Sequence, residues 1–258
     1  MIILLHSSKT MRSPHSAAKL RQPELLGKAR ELAAYMTTLS PGQIGKSMHV
    51  SGALAAKTHE LLNGWTDAPE KQSVAMDSFV GDIYSGLRAG DLSEDDRTYA
   101  DEHLRILSGL YGILRPLDGI CPYRLELGYR LPDPRYTDLY KFWGEAIART
   151  LPDEGPVINL SSVEYSRTVT PYVAAERVVS PRFLTVNPET REPEFVVVHA
   201  KIARGAFARW LITSRSGIEQ LTDFADIGYR HNPELSTPEE PAFVCETFEG
   251  KGRSVRLQ

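Results

Sequence analysis

The sequence predicts an α/β or α+β fold, a central mixed β-sheet flanked by helices, and three observations carry that prediction. A short continuous apolar run, MIILL at the start, reads as a buried strand, and GPVINLSS, residues 155–162, as another. Longer segments such as PELLGKARELAAYMTT, residues 23–38, carry apolar residues at helical spacing. The two kinds of segment are mixed without the strict alternation of a βαβ series. At 258 residues and 41% apolar composition the chain can bury a substantial core, and one domain spanning 1–258 is expected.

Local signals set the elements. Pro23 sits near the first turn of the first helix. Ser40 followed by Pro41 starts a second, and Ser51 caps a third that ends near Gly64. Residues 74–87, VAMDSFVGDIYSGL, read as a strand broken by a turn at Gly81-Asp82. Ser93 and the acids after it open a helix, whose last residues, LRIL, either continue it or form a strand. Residues 137–151 read as a helix capped by Thr137, and 155–162 as a strand followed by a polar turn. The stretch ERVVSPRFLTVNPETREPEFVVVHA predicts a hairpin, followed by a basic helix. A short helix IEQLTDF, a final strand AFVCETFE and a loose end complete the reading.

Thirty basic residues face thirty-three acidic ones, a net charge of −3. That is not the balance of a protein whose whole surface binds nucleic acid, so a polyanion site must be a local basic patch. Cys121 and Cys245 are too few and too far apart for a disulfide framework. The seven histidines show no metal-ligand spacing, and neither a metal nor a cofactor is expected. The apolar start is too short for a secretory core, and no run reaches the length of a membrane span. A cytoplasmic protein with no membrane partner is expected.

Five stretches carry candidate chemistry. SSKT follows the first strand, at the edge where open α/β sheets hold ligands; Lys9 and Thr10 are candidates for an anion, or the loop simply turns the chain. It is no P-loop, because the glycines are missing. In GDIYSGL, Asp82 either caps a turn or serves as a base, beside Tyr84. In HLRILSGLYGILRPLDGICPYRLELG, residues 103–128, Gly109 and Gly112 allow a sharp reversal. It loosely matches the turn of helix-hairpin-helix DNA binders. Arg115 and Arg124 can each grip a phosphate or carboxylate in a fork, and Glu126 shares a strand face with Arg124. INLSSVEYS brings Asn159, Ser161, Glu164 and Tyr165 to a strand end, Glu164 as a first-turn acid or a proton carrier. In residues 195–218, Lys201, Arg204, Arg209 and Arg215 meet no acid, and small residues among them permit close approach of a partner or another element.

Taken together, SKT, GDIYSGL, the 103–128 block, DLYKFWG, INLSSVEY, HAKIARG and DIGY resemble the YaaA family of peroxide stress resistance proteins, in order and spacing. The likeness runs from the first residues to about 250. One departure is HSSKT, where the family commonly reads Ser-Pro-Ala-Lys-Thr. The resemblance implies a cytoplasmic single-domain protein with a positively charged cleft, a helix-hairpin-helix-like element, DNA binding and protection from iron-dependent oxidative damage. Matched polar positions include Lys9, Thr10, Asp82, Tyr84, Arg105, Ser108, Tyr111, Arg115, Tyr123, Arg124, Glu126, Asn159, Ser161, Glu164, Tyr165, Lys201 and Arg204.

Two functional readings follow, with a fold-maintaining role for these residues as a third. In the first, the chain binds DNA, with Lys9, Thr10, Arg115, Arg124, Lys201 and Arg204 as anion contacts. In the second, it is an enzyme acting on a nucleotide, nucleobase or similar anionic small molecule. Glu126, Glu164 or Asp82 then moves a proton, and Tyr84, Tyr123, Tyr165, Asn159 and Ser161 stack or hydrogen-bond. The second requires convergence in one pocket.

Overall fold

The computed structural model describes residues 1–14 and 20–254. Its central sheet has five strands: β1 (Ile2–His6), β2 (Leu104–Ser108), β3 (Gly112–Leu114), β4 (Val157–Asn159) and β5 (Val178–Val179). The order is β3-β2-β1-β4-β5. β1 pairs in parallel with β2 and β4, β5 in parallel with β4, and β3 closes the edge antiparallel to β2. Every residue of β1 and β2 is buried, which fits the apolar run read at β1; β2, LRILS, is buried along its whole length although it carries Arg105 and Ser108. A second sheet, β6 (Arg182–Val186), β7 (Pro193–Glu194), β8 (Tyr229–His231) and β9 (Ala242–Cys245), runs in the order β7-β6-β9-β8. One contiguous hydrophobic cluster extends from Ile2 to Cys245. The chain is a mixed α/β fold, and among the described residues no helix is long and apolar enough to cross a membrane.

Helix starts follow cap chemistry. α1 (Leu26–Thr37) is followed by α2 (Pro41–Met48), where Ser40 and Gln43 form a capping box ahead of Pro41. Ser51 caps α3 (Gly52–Asn63). α4 (Asp82–Leu87) follows Gly81, and a second capping box, Ser93 with Asp96, opens α5 (Glu94–His103). α5 runs straight into β2, so LRIL is strand. The longest helix is α6 (Val197–Ser214).

Several expectations are corrected. Residues 103–128 form no helix-hairpin-helix-like element: the Gly109–Gly112 reversal joins β2 to β3, with Ser108 opposite Gly112. Residues 74–87 hold a one-turn helix, Ala75–Ser78, a two-residue strand, Phe79–Val80, and then α4. Within α4, Ile83 and Leu87 stand one turn apart and are both buried. The 137–151 helix is capped by Asp138 rather than Thr137 and stops at Trp143, because Gly144 takes a left-handed φ of 51°. Val197 and Val198, expected in a strand, begin α6: Val197 is left 52% exposed, and the long helix that follows propagates back through both despite their β-propensity. The end expected to be loose is packed through 254, while 255–258 lie outside the described residues.

Three long-range contacts gather the loops. Thr10–Met11 pairs with Phe79–Val80, which lays the SSKT loop beside Gly81-Asp82. Ser73–Val74 pairs with Gly119–Ile120, which anchors the chain entering residues 121–126. α4 crosses α6 with backbones in contact. A Cβ on Gly205 would overlap the Ile83 carbonyl, and one on Gly86 would overlap that of Ile202. The small residues of the basic segment therefore receive α4.

Candidate functional site

At the carboxyl ends of the parallel strands lies a cavity of about 500 Å³. It sits beside β1, where the chain passes first to β2 on one side and later to β4 on the other, the switch point at which α/β sheets bind ligands. Ser7, Ser8, Lys9 and Thr10 line it from the loop after β1, Asp82 and Tyr84 from α4, and Lys201 from α6. Glu126 closes another side.

The floor is His6, the last residue of β1 and 8% exposed. The Ser162 backbone N–H donates to its Nδ1 at 3.2 Å, so the neutral ring carries its proton on Nε2. Its ring stacks on Tyr165 at 4.8 Å. Burial, with Arg204 and Lys201 nearby, lowers its pKa to about 3. The ring is neutral at physiological pH.

Glu126 is also buried, at 8% exposure. Burial raises its pKa against the opposing pull of Lys9, and the charge of Glu164 adds to the rise. Lys9 Nζ stands 3.9 Å from Glu126 Oε2, beyond hydrogen-bond range, with its own side chain 56% exposed. A carboxyl shifted toward neutrality beside an exposed ammonium suits proton transfer to a bound group.

Hydroxyls on the lining and behind it are held by hydrogen bonds. Ser7 Oγ donates to the Tyr165 hydroxyl at 3.3 Å, and Ser108 Oγ shares a 2.6 Å hydrogen bond with the Tyr123 hydroxyl. The Tyr84 hydroxyl donates to the His6 carbonyl at 3.0 Å. Burial pushes all three tyrosines up, so they remain protonated donors. Arg124 Nη1 donates to the Lys9 carbonyl at 3.2 Å, which fixes the loop, while its buried Nε has no hydrogen-bond partner among the described residues. Glu164 accepts from the Gly128 N–H at 2.8 Å and holds the end of the Glu126 segment.

Of the residues singled out in the sequence, Lys9, Thr10, Asp82, Tyr84, Glu126 and Lys201 line the cavity. Tyr123, Tyr165, Arg124 and Glu164 support it from behind, through the bonds just described. Arg204 is near enough to bear on His6, and burial lowers its pKa. Arg115 is not brought to the site; it lies 3.9 Å from Glu24 and donates its backbone N–H to Asp118. Asn159 is occupied in a turn, its Oδ1 accepting from the Ser161 N–H and Oγ. Asp82 Oδ1 accepts from the Ser254 N–H at 3.0 Å, so it holds the chain's last described residue. The four-cation segment divides. Arg209 donates to the Arg88 carbonyl at 3.1 Å beyond the end of α4, and Arg215 pairs with Asp95 and Asp96 at 2.6 and 2.9 Å.

Sequence reasoning missed His6, Arg253 and Ser254. A search for metal-ligand spacing passes over a lone histidine, although its place at the end of an apolar strand, just before a polar loop, is a signal. Arg253 gave no signal, because its position depends on where the last segment packs.

Fold and site together define a mixed α/β protein with a polar cavity at the carboxyl edge of its parallel strands. Comparison with known proteins makes the assignment particular. The family described as peroxide stress protein YaaA matches residues 1–235. A UPF0246 protein from Salinispora tropica is 60% identical over 258 residues, covering 99% of this chain and 98% of the relative. Another from Roseobacter denitrificans is 37% identical over 253 residues, covering 95% and 98%. The chain belongs to the YaaA peroxide stress protein family and is a peroxide-stress-related protein.

Proposed function

We propose that, within this peroxide-stress role, the cavity binds a small anionic ligand of the nucleotide or nucleobase class and moves a proton on it. The carrying observation is convergence. Lys9 and a neutral His6 from the end of β1 and its loop, Glu126, and Lys201 from α6, three separate segments, face one cavity of about 500 Å³. That volume matches a small-molecule site. Lys9 and Lys201 attract the anion, Glu126 accepts or gives the proton, and His6 Nε2 donates without adding charge. Isothermal titration with AMP, ATP and inorganic phosphate at fixed ionic strength tests this. Millimolar or tighter binding is expected, weakened about tenfold by Lys201→Ala. No binding by the wild type, or unchanged binding by the variant, contradicts it.

DNA is the second reading, supported by the exposed Lys9 and by Arg253 at the rim. The pairing of Arg209 and Arg215 within the fold counts against a long basic groove. A single-stranded oligonucleotide whose affinity falls steeply with salt, and which AMP does not displace, would favour DNA. Limiting iron-dependent damage is a consequence open to either ligand.

A further inference from the structure

We propose that the strap 248–254 is the specificity rim of this cavity. It closes one side and places the Arg253 guanidinium to meet the ligand's anionic group. The inference rests on the small-anion reading above and adds a residue and a segment to it.

The strap is held at successive points. The Phe248 ring stacks on His199 of α6, with centroids 3.9 Å apart and planes 12° from parallel. The Glu249 N–H donates to the Ile227 carbonyl at 3.3 Å. Gly252 lies against the Ile202 side chain so closely that a Cβ would overlap it. Ser254 N–H ends on Asp82 Oδ1. Arg253, between the last two anchors, joins Lys9 and Lys201 on the cavity lining, and among the described residues it makes no ion pair. Its neighbours bind the strap, and Arg253 itself is left facing the cavity. A guanidinium adds what two ammonium groups lack, a planar fork that matches a phosphate or carboxylate.

The family match ends at residue 235, while Lys9, Asp82, Glu126 and Lys201 lie within it. The family model's match covers the body of the cavity and stops short of this side of the rim, while the two relatives align across 99% and 95% of this chain. Discrimination between ligands sharing one anionic group is expected to reside in the strap.

Two measurements on the full chain test this. In the first, AMP affinity is compared in wild type, Arg253→Ala and Arg253→Lys; losses of about tenfold and about threefold are expected. Arg253 is exposed, so its replacement leaves the fold intact. Equal affinity in wild type and Arg253→Ala overturns the proposal. In the second, Ser8→Cys serves as a reporter inside the cavity, the native cysteines being buried. Its alkylation by iodoacetamide is expected to accelerate at least about threefold when Gly252→Val or Asp82→Ala unseats the strap. Unchanged rates in both overturn the proposal. A wild type that binds no AMP, ATP or phosphate removes the small-anion reading instead, and the alkylation rates then decide the strap alone.

Discussion

The two edges of the central sheet treat charge in opposite ways. At the amino edge of β2, Arg21 binds Asp118 and Asp101, each at 2.7 Å. Asp118 also accepts from the Arg115 N–H, and Arg105 donates to the carbonyls of Asp101 and Leu104. At the carboxyl edge Lys9 stands 3.9 Å from Glu126, and Arg124 Nε is buried without a partner among the described residues. Charges that hold the fold are closed into hydrogen bonds. Those around the cavity are held near one another with capacity to spare, the arrangement expected where a ligand completes the set.

The contrast breaks most sharply at Asp118, which is 2% exposed. Asp118→Ala leaves the Arg21 guanidinium and the Arg115 N–H short of a partner and is expected to cost about 3 kcal/mol in urea unfolding, with AMP binding unchanged. A loss in binding comparable to the loss in stability would mean that the two edges are one system.

The acid response of His6 is spread over a pH range and not read at a single pH. Its native pKa of about 3 lies below the usual 6.5, so between these values the unfolded chain takes up a proton that the native chain refuses. The contribution is fully present above pH 6.5 and is lost as pH falls toward 3, at up to about 1.4 kcal/mol per unit. His6→Gln is expected to flatten this limb in denaturation followed by circular dichroism. A variant as acid-sensitive as the wild type would show that the ring is not buried neutral. Glu126 acts in the opposite sense, because its raised pKa costs stability as pH climbs through it. Glu126→Gln is accordingly expected to stabilise the protein by about 1 kcal/mol at pH 7 while slowing any proton transfer. Smallest is Lys9→Ala: its side chain is mostly exposed, and stability should stay within about 0.5 kcal/mol while anion affinity falls.

The same division governs what could be read from the sequence. Ser40, Ser51 and Ser93 were legible as caps, because a cap needs only its next three residues. Lys9, Asp82, Glu126 and Lys201 were legible as candidates, but not their meeting, which depends on Thr10 opposite Val80 and on Gly205 against α4. Residues 103–128 misled because two nearby glycines serve a β reversal as readily as a helical one. Arg115 and Arg124 looked equivalent, nine residues apart; one went to the amino edge and the other to the cavity.

The central claim, that the carboxyl edge is an incomplete charge set awaiting a small anion, meets its most direct test in a crystal grown with AMP. Phosphate density is expected within about 3 Å of the Lys9 and Lys201 nitrogens, inside the cavity. Phosphate bound only on the outer surface, or a cavity left empty at saturating AMP, would contradict it.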